Sequence, residues 1–185
     1  MGRDIHVRVA LYNEETNKYE ELKLFRKRNK YEKYKYDEKG NKIEITNPLI
    51  QASIYNGRNS EMFDGMKDGD ETDGYNEFPW TYIKMNSLED ELKEDIEKKM
   101  NITGYFDFYE ITLADMALYL EENPTVTDYD SDIWDDWKAG DSRPQKTNPI
   151  KHLYQEICDY AKIADWLSWE SVPLSAYKVI FYFDW

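Results

Sequence analysis

Apolar and polar positions alternate along residues 5–12, IHVRVALY, which puts Ile5, Val7, Val9 and Leu11 on one side of a strand. The next stretch, NEETNK at 13–18, has turn chemistry. YEELKLFR at 19–26 alternates again through Leu22 and Leu24, so the pattern predicts a hairpin. A second hairpin follows: Tyr34 and Tyr36 share a strand face, Glu38-Lys39-Gly40-Asn41 turns, and KIEI at 42–45 returns. LIQASIY at 49–55 reads as a short strand or buried segment. Asn56-Gly57 reads as a turn that opens a short helix near Asn59 or Ser60, and FPWTYIKM at 78–85 as a further strand.

The period then lengthens from two to four. Leu88, Leu92, Ile96 and Met100 form a narrow apolar stripe on a helix that Ser87 is expected to cap, with Asp90 at the capping-box position. YFDFYEI at 105–111 is a strand. Thr112 and Asp115 make a second capping box, before a helix that buries Leu113, Met116, Ala117 and Leu120 and stops at Pro124. Asn148 and Pro149 open a third helix to about Leu167, with Ile150, Leu153, Tyr154, Ile157, Ala161 and Ala164 on its apolar face. The last ten residues, AYKVIFYFDW, are a strand with Val179, Phe181 and Phe183 on one side. No repeat and no linker interrupts this order. The expected organisation is one domain over 1–185, with N-terminal β-hairpins at 1–56 and an α+β remainder at 57–185. The expected fold is α+β, a mainly antiparallel sheet with three helices packed on it.

Composition supports a folded chain. A chain of 185 residues buries roughly 70% of its unfolded surface. Its aromatic fraction of 16% is far above that of disordered acidic chains. A single cysteine, Cys158, points to a reducing cytoplasm. MGRDIH brings charge at once with no apolar leader, and no apolar run approaches membrane-spanning length, so secretion and membrane insertion are not expected.

Charge changes the picture most. There are 38 Asp and Glu against 24 Lys and Arg, a net charge of −14. Residues 1–46 carry twelve basic and nine acidic side chains, +3, which leaves −17 for the rest. Such a surface repels nucleic acid and attracts the basic grooves of proteins that hold it. The acid is concentrated at 64–77, which includes Asp68, Asp70, Glu71 and Asp73, and at 107–141. Within the second stretch DYDSDIWDDW interleaves Asp128, Asp130, Asp132, Asp135 and Asp136 with Trp134 and Trp137. Carboxylates spaced in this way can stand where phosphates stand in a basic channel, with the tryptophans as anchors. The plainer reading is a solvated acidic loop. The segment 23–42 is the opposite, with nine basic residues, three acidic ones and several tyrosines, the composition of an arm that grips single strands. Its plainer reading is a solvated hairpin, which the acidity of the rest favours.

Two further constellations carry chemistry. Asp4 and His6, two apart on the first strand, face the same side, and an Asp beside a His can orient the ring or raise its pKa. Arg58, Asn59, Ser60 and Glu61 supply a guanidinium, an amide, a hydroxyl and a carboxylate at a turn-to-helix junction, where anions bind. Simple capping and pairing are the plainer readings of both. Metal and cofactor motifs fail. Asp128, Asp130 and Asp132 have calcium-loop spacing, but Ile133 and Ala139 occupy the positions that need Gly and Glu. His6, His152 and Cys158 have no zinc spacing, and no phosphate-binding glycine loop occurs. No metal and no cofactor is expected.

MGRDIH at 1–6, GRNSEMF at 57–63, ITLADM at 111–116 and VIFYFDW at 179–185 resemble a family of uncharacterised bacterial and phage proteins that open MG-x-DIH. Arg3 stands where many members have Cys. The resemblance spans most of the chain. It implies a phage or mobile-element origin and a shared site of Asp4, His6, Arg58 and Asn59, but supplies no activity. In size and charge alone the chain is also similar to anti-CRISPR proteins that block Cas9 by occupying its basic channels. The expectation is therefore an acidic cytoplasmic protein of a phage or mobile element that inhibits a host nucleic-acid-binding defence enzyme, Cas9 first among them, by binding its basic nucleic-acid channel. The rival expectation is a small hydrolase or anionic-ligand-binding protein built on Asp4, His6, Arg58, Asn59 and Glu61.

Overall fold

The structure is a computed structural model that describes residues 4–52, 54, 56–57, 83, 85–100, 107–127, 145–164 and 172–184. The fold is α+β. An antiparallel sheet is formed by β1 (Asp4–Asn13), β2 (Lys18–Glu21), β7 (Asn56–Gly57), β8 (Asn86–Ser87), β9 (Asp107–Thr112) and β12 (Tyr177–Asp184), in the order β2-β1-β12-β9-β8 with β7 also on β1. Three helices pack on it: α1 (Asp90–Met100), α2 (Leu113–Glu122) and α3 (Ile150–Ala164).

Strand alternation separates two cores. Ile5, Val7 and Val9 of β1 and Tyr177, Val179 and Phe181 of β12 lie on the face covered by Leu113 and Met116 of α2 and by Ile150, Leu153 and Ile157 of α3. The opposite face presents Ala10, Ile180, Tyr182 and Phe108 to Leu88, Leu92 and Ile96 at α1. The sheet is thus a middle layer between one helix and two. Its central pair is long: β1 and β12 run from Asp4 opposite Asp184 to Leu11 opposite Tyr177.

Thr112 caps the second helix as the sequence predicts, with Asp115 bonded to its hydroxyl. Thr112 Oγ1 accepts from the Asp115 amide at 3.0 Å, and its hydroxyl donates to Asp115 Oδ2 at 2.8 Å. At α3, Asn148 is fully buried; its Oδ1 accepts from the Ile150 amide at 3.1 Å, and its Nδ2 donates to Tyr119 and to the Asn123 carbonyl. The first helix starts differently. Ser87 pairs with Tyr109 as part of β8, and the first helical bond runs from the Lys93 amide to the Glu89 carbonyl. Ser87 is therefore a strand residue and does not cap α1.

The strand expected at 19–26 is divided. The Leu22 amide donates to the Val9 carbonyl at 2.8 Å and ends the pairing with β1. Leu24 then turns into the core, and the Leu24 carbonyl accepts from the Ala52 amide at 2.9 Å. This hands the chain to a separate ladder, β3 (Phe25–Lys27) with β6 (Leu49–Gln51). Beyond it, β4 (Tyr34–Tyr36) pairs with β5 (Lys42–Glu44) around a turn whose Gly40 has φ +79°, a conformation that favours glycine. A further short pair joins β10 (Thr125–Thr127) and β11 (Gln145–Thr147). Among the described residues no helix is long and apolar enough to cross a membrane.

Candidate functional site

The DIH segment is the start of β1, and the sheet gathers three of the chain's distant motifs around it. β7 pairs antiparallel with β1, placing Gly57 opposite Ile5 and Asn56 opposite His6. On the other side β12 places Tyr182 opposite His6 and Asp184 opposite Asp4. Asp4–His6, Asn56–Gly57 and Tyr182–Asp184 therefore meet at one end of the sheet. The fourth motif, ITLADM, runs from β9 into α2, next to the opposite end of β12, where Thr112 faces Lys178.

His6 lies flat on Tyr182, with ring centroids 4.5 Å apart and planes 11° from parallel. Tyr182 in turn stacks on Phe108 at 5.3 Å. Two residues along β1 on the same face, Arg8 Nη1 reaches Glu21 Oε1 at 2.6 Å. Burial pulls the Arg8 guanidinium down, but hydrogen bonding and attraction to Glu21, with a smaller part from Tyr182, outweigh it and raise its pKa. The imidazole is thus held by an aromatic stack beside a fixed cation.

The same face carries a second charged group. Lys178, on β12, is buried; its Nζ lies 2.9 Å from Glu110 Oε1, 3.1 Å from Glu89 Oε1 and 4.1 Å from the centre of the Tyr19 ring. Burial lowers the Lys178 pKa, but the hydrogen bonds to Glu110 and Glu89 outweigh it, so the group titrates above its ordinary value. A permanently charged lysine of this kind is a strut and is poorly suited to act as a base or nucleophile at neutral pH.

Outside this strut the β1–β2 hairpin and α1 enclose an open groove of about 830 Å³. Glu20, Glu21, Glu89, Glu91 and Asp95 line it, against Lys18 and Lys99. Lys18 bridges it to Glu91 at 3.0 Å, and Lys99 pairs with Asp95 at 2.6 Å and approaches Glu21 at 3.9 Å. Five carboxylates line the groove with two ammonium groups, and Glu21 and Glu89 also pair with Arg8 and Lys178 beneath it, which leaves the groove mildly acidic, with Tyr12 and Tyr19 as aromatic walls. A smaller notch of about 390 Å³ opens at the edge of β1 beside Arg8, Lys23, Lys99 and Tyr182, over Leu22 and Ile54.

Of the residues predicted from sequence, Asp4 and His6 lie in β1 as expected. Arg58, Asn59 and Glu61 lie outside the described residues, although β7 ends immediately before them. Asp68, Asp70, Glu71 and Asp73 also lie outside them, as do Asp128, Asp130, Asp132, Trp134, Asp135, Asp136 and Trp137. The groove acids Glu20, Glu21, Glu89, Glu91 and Asp95 are functional candidates that sequence reasoning missed. Their signal was the acidic first turn of α1, but nothing local joins that turn to the first hairpin. Among the described residues no group of three or more His, Cys, Asp or Glu side chains is placed to hold a metal ion. Comparison with family models, with curated proteins and with solved structures returned no match.

Proposed function

We propose that this protein works by binding: its acidic surfaces occupy the basic nucleic-acid channel of a partner protein where phosphates would otherwise lie. The observation that carries this reading is the acidic groove between the first hairpin and α1, an open concave surface with five carboxylates on its walls. It adds a contoured contact face to a chain of net charge −14. Complementary charge of this kind speeds encounter and selects cationic partners. A Cas9-type enzyme of the host is the first partner to try, because it holds its heteroduplex in a positively charged channel. The acidic stretches at 64–77 and 128–137 belong to the same proposal, with Trp134 and Trp137 as anchors.

The test is displacement of labelled target DNA from a Cas9–guide complex by the purified protein. Displacement should be stoichiometric and should weaken steeply with salt. A Glu89→Lys, Glu91→Lys, Asp95→Lys variant should displace at least about tenfold less well, as should reversal of Asp130, Asp132, Asp135 and Asp136 to Lys. If neither variant changes displacement, or if the native protein displaces nothing from Cas9 or from other basic nucleic-acid enzymes, the proposal fails.

A second reading is favoured by the meeting of β7, β1 and β12 around His6. In it, His6, Asp4, Arg58 and Asn59 form a site for an anionic ligand or a hydrolase centre. His6→Ala would then abolish ligand binding or turnover while the protein stays folded. Retention of full ligand binding or turnover by that variant would remove His6 from any such site.

A further inference from the structure

The arm formed by residues 25–51 departs from the body in both charge and surface. It exposes Tyr31 at 80% and Tyr36 at 69%, with Tyr34 and Ile43 also exposed. Three exposed rings close together on one arm form an apolar patch of the kind that marks an interaction site. The arm is also basic within an acidic chain, with nine basic against three acidic residues between 23 and 42.

The arm's framework is fixed. Arg26 forks onto Glu32, with Nη1 to Oε2 at 2.6 Å and Nη2 to Oε1 at 2.5 Å. Glu32 Oε2 also accepts from the Asn29 amide at 2.9 Å. Arg28 holds the far strand through the Asn47 carbonyl at 2.9 Å. At the tip, Asp37 Oδ1 accepts from the amides of Lys39 and Asn41 at 2.9 and 2.7 Å. Arg26 and Arg28 are therefore used internally. Lys30 and Lys42 lie over the rings of Tyr31 and Tyr34, at 4.9 and 3.8 Å. Lys33, Lys35 and Lys39 make no ion pair among the described residues.

From this juxtaposition we infer that the arm is a docking surface for single-stranded nucleic acid. Bases stack on Tyr31, Tyr34 and Tyr36, and Lys33, Lys35 and Lys39 meet the phosphates. Tyr34 and Tyr36 stand two residues apart in β4, roughly 7 Å along the strand, and alternation puts them on one face. Lys35 alternates onto the other face of β4, opposite Ile43, while Lys42 shares the tyrosine face opposite Tyr36, so the lysines meet a strand stacked on the rings by reaching round the edge of the two-stranded hairpin. An acidic protein segment would use the lysines but leave the rings without a role, and a stacking base uses both. Because the framework is already ordered, binding costs little conformational entropy. The acidic body limits affinity and keeps duplex DNA at a distance, which favours a flexible strand that can reach the arm alone.

The experiment is fluorescence anisotropy of a labelled oligothymidylate of about 16 nucleotides with the full chain. We expect a dissociation constant in the micromolar range at about 50 mM salt, weakening with a log–log slope of about −2, as for three phosphate contacts. Tyr31→Ala with Tyr36→Ala should weaken binding at least about fivefold for each ring lost. Lys33→Glu with Lys35→Glu should abolish it, and Leu118→Ala, an exposed site on α2, should leave it unchanged. Circular dichroism confirms that each variant is folded. Absence of binding at low salt overturns the inference. So does binding that both arm variants retain, or binding of polyglutamate at the arm in preference to the oligonucleotide. None of these outcomes bears on the acidic groove, whose partner is tested separately.

Discussion

Lys178 and Glu110 form an ion pair of 2.9 Å whose side chains are only 8% and 11% exposed, on strands that are immediate neighbours at the centre of the sheet. Glu110 Oε2 is buried and has no hydrogen-bond partner among the described residues. Lys178 is thus the main neutralising group for a carboxylate inside the fold. Lys178→Met should destabilise the protein by about 3–5 kcal/mol in urea unfolding, because it leaves an uncompensated buried charge. Lys178→Met combined with Glu110→Leu should recover most of that loss. A double variant no more stable than Lys178→Met alone would show that the pair is not the source of the cost.

Asn148 predicts a second large effect from a neutral side chain. It is fully buried and bonds to three partners: the Tyr119 hydroxyl at 3.1 Å, the Asn123 carbonyl at 3.0 Å and the Ile150 amide at 3.1 Å. Asn148→Ala removes the cap of α3 and the tie from α3 to the end of α2, which should cost about 3 kcal/mol. Tyr119→Phe removes one of these bonds and should cost about 1 kcal/mol. Equal losses from the two substitutions would argue against the shared network.

The arm gives a pH prediction. Its hydrogen bonds to Arg26 and then to the Asn29 amide lower the Glu32 pKa from 4.5 to about 2. A lowered carboxylate pKa contributes stability that is present above pH 4.5 and is lost as pH falls towards 2. The arm should therefore keep its Arg26–Glu32 fork at pH 3.5, where ordinary carboxylates are mostly protonated. Carbon-detected NMR titration of Glu32 checks this. A midpoint near 4.5 would mean that the fork does not hold in solution.

Much of the fold was legible because it is written in local periods. The alternation in β1 and β12, the four-residue stripe of Leu88, Leu92 and Ile96, and the Thr112–Asp115 box each depend on neighbours in sequence. The division of the strand at Leu22–Leu24 was not legible. It is decided by which carbonyl Leu22 meets and by where Ala52 lies, both of which are distant in sequence. Ser87 misled for a similar reason: it has the chemistry of a cap, but pairing with Tyr109 claims it first. The site divided in the same way. Asp4 and His6 could be read from a two-residue spacing. The acidic groove could not, because Glu20 and Glu21 join Glu89, Glu91 and Asp95 only through the sheet that carries the hairpin under α1. The stack of His6 on Tyr182 likewise required the register of two strands from opposite ends of the sequence.

That register has a consequence for how the molecule is made. β12 occupies the middle of the sheet, so β1 and β9 stand with an open seam between them until the residues from 177 onward have left the ribosome. Both hydrophobic layers draw on this one late segment, through Val179 and Phe181 on one side and Ile180 and Tyr182 on the other. Synthesis therefore delivers the keystone after every other strand of the sheet, and those strands wait, exposed, for a closing step between residues far apart in sequence that is correspondingly slow.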